Sequence, residues 1–150
     1  GRKHRDWVKG VYAVGTDSQM ILAWASAHHV VHDTRFLAPL KLRIARYGKR
    51  KNGKRDWLLL ADAGFDSPKL TDRDLAPPIR RGGKLVDPDR KARADLVSQA
   101  RLEGLFGQRW KSETVHSVMK RLFGDVIRSR SWRLQRREPM LKALVYNIHR

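Results

Sequence analysis

Two acidic side chains stand where chemistry could use them. Asp62 directly follows the apolar run "WLLLA" (Trp57–Ala61), and Glu113 lies inside "RWKSETVHSVMK" (Arg109–Lys120). A carboxylate at the end of a buried strand is costly unless it is paired or bound to a metal. The C-terminal ends of strands are also where α/β sheets gather their sites. The competing reading is a strand-end Asp that opens a turn, helped by Gly64. Glu113 sits in a strongly basic setting: among residues 101–150, twelve Lys or Arg stand against four Asp or Glu. Helix positions i, i+4, i+7 and i+11 share a face. Arg109, Glu113, His116 and Lys120 therefore fall on one polar stripe. Taken alone, that stripe is a solvated network in which Glu113 pairs with Arg109 and Lys120, worth about 0.2–0.5 kcal/mol per pair.

These residues need elements to position them. "DWVKGVYAVG" (Asp6–Gly15) alternates, "TDSQ" reads as a turn and "MILAWASAHH" (Met20–His29) is a second apolar run. The pattern predicts an antiparallel hairpin. From Asp33 the period becomes helical, with Phe36, Leu37, Leu40, Ile44 and Tyr47 on one face. Asp33 or Thr34 is placed to cap that helix and Gly48 to end it. Gly48–Asp56 is a basic loop, and Trp57–Asp62 fits a strand buried on both faces. "AGFDS" breaks it. "PKLTDRDL" reads as a short helix, and "APPIRR" as a short strand kept to an edge or end by its prolines. Arg81–Lys91 is a loop.

From Ala92 the pattern is helical, with a break at Gly104 or Gly107. A second helical segment runs to about Phe123, with Val115, Val118, Met119, Leu122 and Phe123 as its apolar stripe. "GDVIRSRSW" is irregular or a short strand. Glu138–Arg150 closes the chain as a helix, with Met140, Leu141, Leu144, Val145 and Ile148 inward. The order of elements predicts a single α/β domain of mixed strand direction. No internal repeat, zinc-ligand pattern or glycine-rich phosphate loop interrupts it.

Composition narrows the function class. With 41% hydrophobic residues in 150, the chain can bury a core. No apolar run reaches the length of a membrane span. The absence of cysteine excludes disulfides and thiolate metal sites. Lys and Arg total 33 against 15 Asp and Glu, a net charge of +18 that predicts a polyanionic partner, most often nucleic acid. Lys41–Arg55 holds eight of those cations in fifteen residues and reads as a phosphate-contacting edge in preference to a solvated loop. His28, His29 and His32 beside Asp33 carry ligand chemistry, but without a second cluster they read as a strand end and helix cap. Trp110 and Trp132 read as packing before base stacking. Gly1 in place of Met, with a strand pattern starting at once, marks the chain as a piece of something longer.

Several motifs, in order, carry a resemblance. "LLLADAGFDS" and the spacing Phe106-x2-Arg109-x3-Glu113-x6-Lys120 resemble insertion-sequence transposases of the DDE type, whose catalytic helix bears a Tyr-(2)-Arg-(3)-Glu-(6)-Lys signature. Phe106 stands where that family usually has Tyr. The hairpin, "HHVVHDTRFLAPL" and "MLKALVYNIHR" are similar as well, so the likeness covers nearly the whole chain. It implies a ribonuclease H-like fold, a five-stranded mixed sheet flanked by helices. It also implies three carboxylates holding two Mg²⁺ (or Mn²⁺) ions for in-line phosphoryl transfer. On that likeness Asp62 is the second carboxylate and Glu113 the third, both catalytic and both metal ligands. Arg109, Lys120, Phe106 and His116 are the implied DNA-binding residues. The implied partners are double-stranded DNA, as transposon ends and target, and a second copy of the chain on that DNA. No membrane is implied; the implied place is a prokaryotic cytoplasm, associated with the nucleoid.

One part of the pattern is missing. The family's first carboxylate sits on a first strand that precedes the hairpin, and no such strand is present before Asp6. Asp6, Asp17 and Asp33 are poor substitutes by position. The expectation is a ribonuclease H-like domain lacking its first strand, truncated upstream of Gly1, inactive alone and marginally stable. The rival expectation is a catalytically inactive transposase remnant or basic nucleic-acid-binding module.

Overall fold

The computed structural model describes residues 8–28, 31–46, 50–51, 54–55, 57–80 and 82–150. In chain order its regular elements are β1 (Val8–Val14), β2 (Ile21–His28), α1 (Thr34–Ile44), β3 (Arg50–Lys51) and β4 (Lys54–Arg55). There follow β5 (Leu59–Leu60), β6 (Asp74–Leu75), α2 (Pro88–Leu102), α3 (Trp110–Phe123) and α4 (Trp132–His149). They form two compact units: Gly1–Tyr47 with Lys111–Arg150, and Gly48–Trp110.

The first unit is built on the predicted hairpin. β1 and β2 pair antiparallel, with Val8 opposite His28 and Tyr12 opposite Trp24, and the register shifts between Ala13 and Val14. The period-two alternation shows in β2, where Ile21, Ala23 and Ala25 are buried. Phe36, Leu37, Leu40 and Ile44, the face anticipated for α1, are buried. Its start is held differently from expectation. Asp33 occupies the N-cap position but makes no side-chain cap bond. Its carboxylate instead pairs with Lys9 at 2.5 Å, and the Lys9 ammonium also donates to the Val31 carbonyl at 3.1 Å. The His32 ring takes over the cap, accepting weakly from the Thr34 N–H at 3.4 Å, with its Nδ1 3.0 Å from the Thr34 hydroxyl.

α3 and α4 complete this unit. Val115 and Met119 of α3 join Ile21, Ala143 and Tyr146 in one buried cluster, with Tyr12, Val14, Val118 and Phe123 packed against it. Leu122, expected inward, is 47% exposed. The larger correction concerns α4. It begins at Trp132, ahead of the expected Glu138, and buries Pro139, Ala143 and Tyr146. Leu141, Leu144, Val145 and Ile148, predicted inward, are 49–78% exposed, and Met140 is half-buried. Polar ties choose the face. The Asn147 side-chain amide accepts from the Ile21 N–H (2.8 Å) and donates to the Ile21 carbonyl (2.9 Å), as a neighbouring strand would. The Tyr146 hydroxyl donates to the Gln19 carbonyl at 3.1 Å, and the Ser26 hydroxyl to the Arg136 carbonyl at 3.2 Å.

Glu138 anchors the irregular segment between α3 and α4. Its carboxylate accepts from the backbone N–H groups of Arg128 (3.0 Å) and Ser129 (2.8 Å) and pairs with Lys142 at 3.1 Å. Lys142 in turn donates to the Val126 carbonyl at 2.9 Å. Burial pushes the Glu138 pKa up, but these donors outweigh it and hold the carboxyl down at about 2.

The second unit holds β3 and β4, which pair antiparallel, and β5 and β6, which pair parallel. Its described core is Leu75, Val97 and Ala100, with Leu60 and Phe106 packed against them. α2 starts as its sequence dictates, with Pro88 in the first turn and the Asp87 carboxylate accepting from the N–H groups of Asp89 and Arg90. Three expectations need correction. The Trp57–Asp62 run forms a ladder only over Leu59–Leu60, and Leu58 is 42% exposed, so it is not a strand buried on both faces. "PKLTDRDL" ends in strand β6 and is not a helix, because the buried Asp74 carboxylate takes the N–H and hydroxyl of Thr71 at 2.8 Å each and closes a turn there. Residues 76–80 of "APPIRR" are irregular, and Arg81 lies outside the described residues.

The mixed α/β character holds, with antiparallel and parallel pairs both present. Among the described residues the strands form three two-stranded ladders.

Candidate active site

β5 is the element that places Asp62. Its ladder ends as the Ala61 N–H bonds to the Leu75 carbonyl at 3.0 Å, leaving Ala61 buried. The next residue, Asp62, caps a short 3₁₀ turn (Ala63–Phe65) through its backbone, whose carbonyl accepts from the Phe65 N–H at 3.0 Å. Its side chain makes no cap bond and stands 64% exposed. The residue therefore opens a turn through its backbone, as the simpler reading required, while its carboxylate projects into solvent. There it meets a cation: Oδ1 lies 2.8 Å from Nη1 of Arg109.

Arg109 comes from the 3₁₀ turn Phe106–Arg109, directly ahead of α3. Phe106 anchors that turn in the core of the second unit, and the Arg101 guanidinium lies 5.2 Å above its ring. An apolar ring at this position seats the turn that presents Arg109.

A residue that sequence reasoning passed over holds the other end of the Asp62 turn. Asp66 is 7% exposed and forms ion pairs with Arg90 and with Arg93 (3.1 Å) of α2. It also accepts from the Ile79 N–H at 2.9 Å. Arg93 extends the network to the Ser67 carbonyl at 3.0 Å, and Arg90 to the Ile79 carbonyl at 2.7 Å. The signal available in the sequence was an Asp four residues after Asp62 together with two arginines three apart on the following helix. The spacing alone could not say that they meet.

The remaining candidates belong to the first unit. Glu113 lies in the first turn of α3, exposed, where a helix N-terminus favours an acid. His116 and Lys120 follow on the same helix, also exposed. They line a shallow cleft with Val8, Gly10, Tyr12 and Asp125. The Tyr12 ring meets His116 edge-on, with centroids 6.4 Å apart. Partial burial, then the Lys120 charge, lower the His116 pKa. The structure thus brings Asp62 to Arg109 in one unit, and His116 and Lys120 to a common cleft in the other.

Other candidates settle as follows. Asp17 lies in the β1–β2 turn, Asp33 is paired with Lys9, and Asp6 lies outside the described residues. His28 is buried and stacks on Trp132, while His29 lies outside the described residues. Trp110 and Trp132 are each about half exposed. Of the Lys41–Arg55 cations, Arg43 lies over the Trp24 ring and donates to the Trp24 carbonyl.

Among the described residues no group of three His, Asp or Glu side chains converges as a metal site. Asp62 and Glu113 nonetheless offer the hard oxygen donors that Mg²⁺ and Mn²⁺ take. The Asp62 carboxylate is 64% exposed and carries the Arg109 guanidinium, so one of its oxygens faces a cation at the surface.

No helix among the described residues is long and apolar enough to cross a membrane. A search of curated proteins and a search of solved structures each return no match. A family model described as Transposase DDE domain matches residues 1–148. With an exposed acid at the end of a strand, a second acid at the head of a basic helix and a match along nearly its whole length, the chain belongs to the transposase DDE domain family.

Proposed function

We propose that this chain is the catalytic part of a DNA transposase, carrying out metal-dependent nicking and strand transfer at transposon ends, and that its two units belong to one catalytic domain. The observation that carries the reading is the family match over residues 1–148, joined to Asp62, an exposed carboxylate at the end of β5 already engaged with a cation. Asp62 and Glu113 would hold the ions, two Mg²⁺ or Mn²⁺ in the complete site. Bound ions of this kind activate the attacking oxygen and stabilise the leaving one in in-line phosphoryl transfer. The chain's own residues do the positioning. Arg109 and Lys120 hold DNA phosphates, His116 borders the Lys120 cleft, and Phe106 seats the turn that presents Arg109. The substrate is double-stranded DNA in a prokaryotic cytoplasm, engaged by two copies of the protein.

The test is nicking of duplex DNA carrying the element's ends by the full-length protein in Mg²⁺ or Mn²⁺. Asp62→Ala and Glu113→Ala are each expected to lower the rate by more than the ~10–100-fold typical of groups one shell further out. Retention of nicking by both variants would remove the assignment.

The second reading is a catalytically inactive remnant that holds nucleic acid by charge. It draws on the net charge of +18. It expects salt-sensitive DNA binding that ignores divalent ions and is untouched by Asp62→Asn.

A further inference from the structure

We propose that Arg109 is a resident counter-ion of Asp62, which a divalent cation displaces and which then becomes available to a DNA phosphate. This rests on Asp62 as a metal ligand and adds a coupling to the site: an ion on the carboxylate and a phosphate on the guanidinium favour one another. The geometry is specific. The guanidinium Nη1 sits 2.8 Å from Asp62 Oδ1, with the arginine side chain 30% exposed and the carboxylate 64% exposed. Both ends are held from behind. Asp62 lies between the β5 ladder and a turn clamped through Asp66 to Arg90 and Arg93. Arg109 is held by Phe106, packed against Leu75, Val97 and Ala100.

A carboxylate with an arginine seated on it presents less charge to an incoming ion. The ion must compete for the oxygen, so binding is weakened by the stability of the pair. Because the pair is substantially solvated, that stability is small, and exchange is easy. Once released, the guanidinium keeps its charge and its planar donor fork, which matches a phosphate. By linkage, the ion strengthens phosphate binding by the factor by which phosphate strengthens ion binding. Buried Asp66, with two arginines on it, cannot exchange in this way: its partners are fixed by Ser67 and Ile79 as well.

Mn²⁺ alone is the probe, titrated into the same full-length protein as in the nicking test at about 0.15 M salt, where longer-range charge effects are muted, with free Mn²⁺ read by electron paramagnetic resonance. Arg109→Gln and Arg109→Met are expected to bind Mn²⁺ about two- to fivefold more tightly than the wild type. Arg101→Gln, which removes an equal charge from the Phe106 ring, is expected to leave binding unchanged. Asp62→Asn is expected to abolish the site in either background. Duplex DNA supplies the second arm. The salt slope of binding is expected to differ between wild type and Arg109→Gln by about one ion in Mn²⁺ and by less without it.

Equal Mn²⁺ affinity in wild type and both Arg109 variants, with Asp62→Asn still losing the ion, overturns the exchange and leaves Asp62 a ligand. So does a gain in Arg101→Gln equal to that in Arg109→Gln. Mn²⁺ binding unaffected by Asp62→Asn overturns the metal reading itself.

Discussion

At the scale of single residues, neighbours decide what each carboxylate does. Asp62 and Asp66 are four positions apart, yet one is 64% exposed and the other 7%. The exposed acid is available to a ligand; the buried one is tied by two arginines and a backbone N–H. Glu138 is a third case, where two backbone donors and Lys142 overcome burial and depress its pKa from 4.5 to about 2. A carboxyl whose pKa is lower folded than unfolded stabilises the fold above the unfolded value and loses that contribution as pH falls toward the folded one. Glu138→Gln is therefore expected to cost about 2 kcal/mol at neutral pH. The difference in melting temperature between variant and wild type should shrink between pH 4.5 and about 2. A gap that stays constant over that window would show that the charge on Glu138 does not matter.

At the scale of elements, periodicity located most segments and left their faces to be chosen by packing. The hairpin and α1 follow from alternation and from the spacing of Phe36, Leu37, Leu40 and Ile44. α4 shows where that reasoning stops. Its larger aliphatics suggested one face, but the helix presents Pro139, Ala143 and Tyr146 to the core. Asn147 is central to that choice, because its amide satisfies the N–H and carbonyl of Ile21 at the start of β2. Asn147→Ala leaves both backbone groups without that partner and is expected to cost about 1–3 kcal/mol. Chemical denaturation of the two chains measures it directly; a loss below about 0.5 kcal/mol would mean that water replaces the amide without penalty. β5 and β6 were harder to foresee. A two-residue parallel ladder has almost no periodicity of its own, and the Thr71–Asp74 turn that delivers β6 depends on a buried side-chain bond.

At the scale of the whole molecule, charge dominates. A net +18 on 150 residues means that any DNA complex forms largely by release of counter-ions. If about six phosphates are neutralised, affinity is expected to fall roughly 10³-fold between 50 and 200 mM salt. Fluorescence anisotropy on a labelled duplex would read the slope. A slope corresponding to fewer than about two ions would leave the cationic surface without the role assigned to it.

What the sequence determined by itself was chemistry and order: a strongly basic chain, the acids Asp62 and Glu113, the cations Arg109 and Lys120, and mixed α/β elements around them. Residue types and local periods are written directly in the chain, so they can be read without coordinates. The tertiary structure decided the rest. It set Arg109 on Asp62, buried Asp66 between Arg90 and Arg93, put Lys9 on Asp33, and turned the bulky aliphatics of α4 outward. Each of these joins residues far apart in sequence, or turns a helix against the face that its bulkier aliphatics favour. Such choices depend on which long-range polar bonds can be satisfied together, and no local pattern records that.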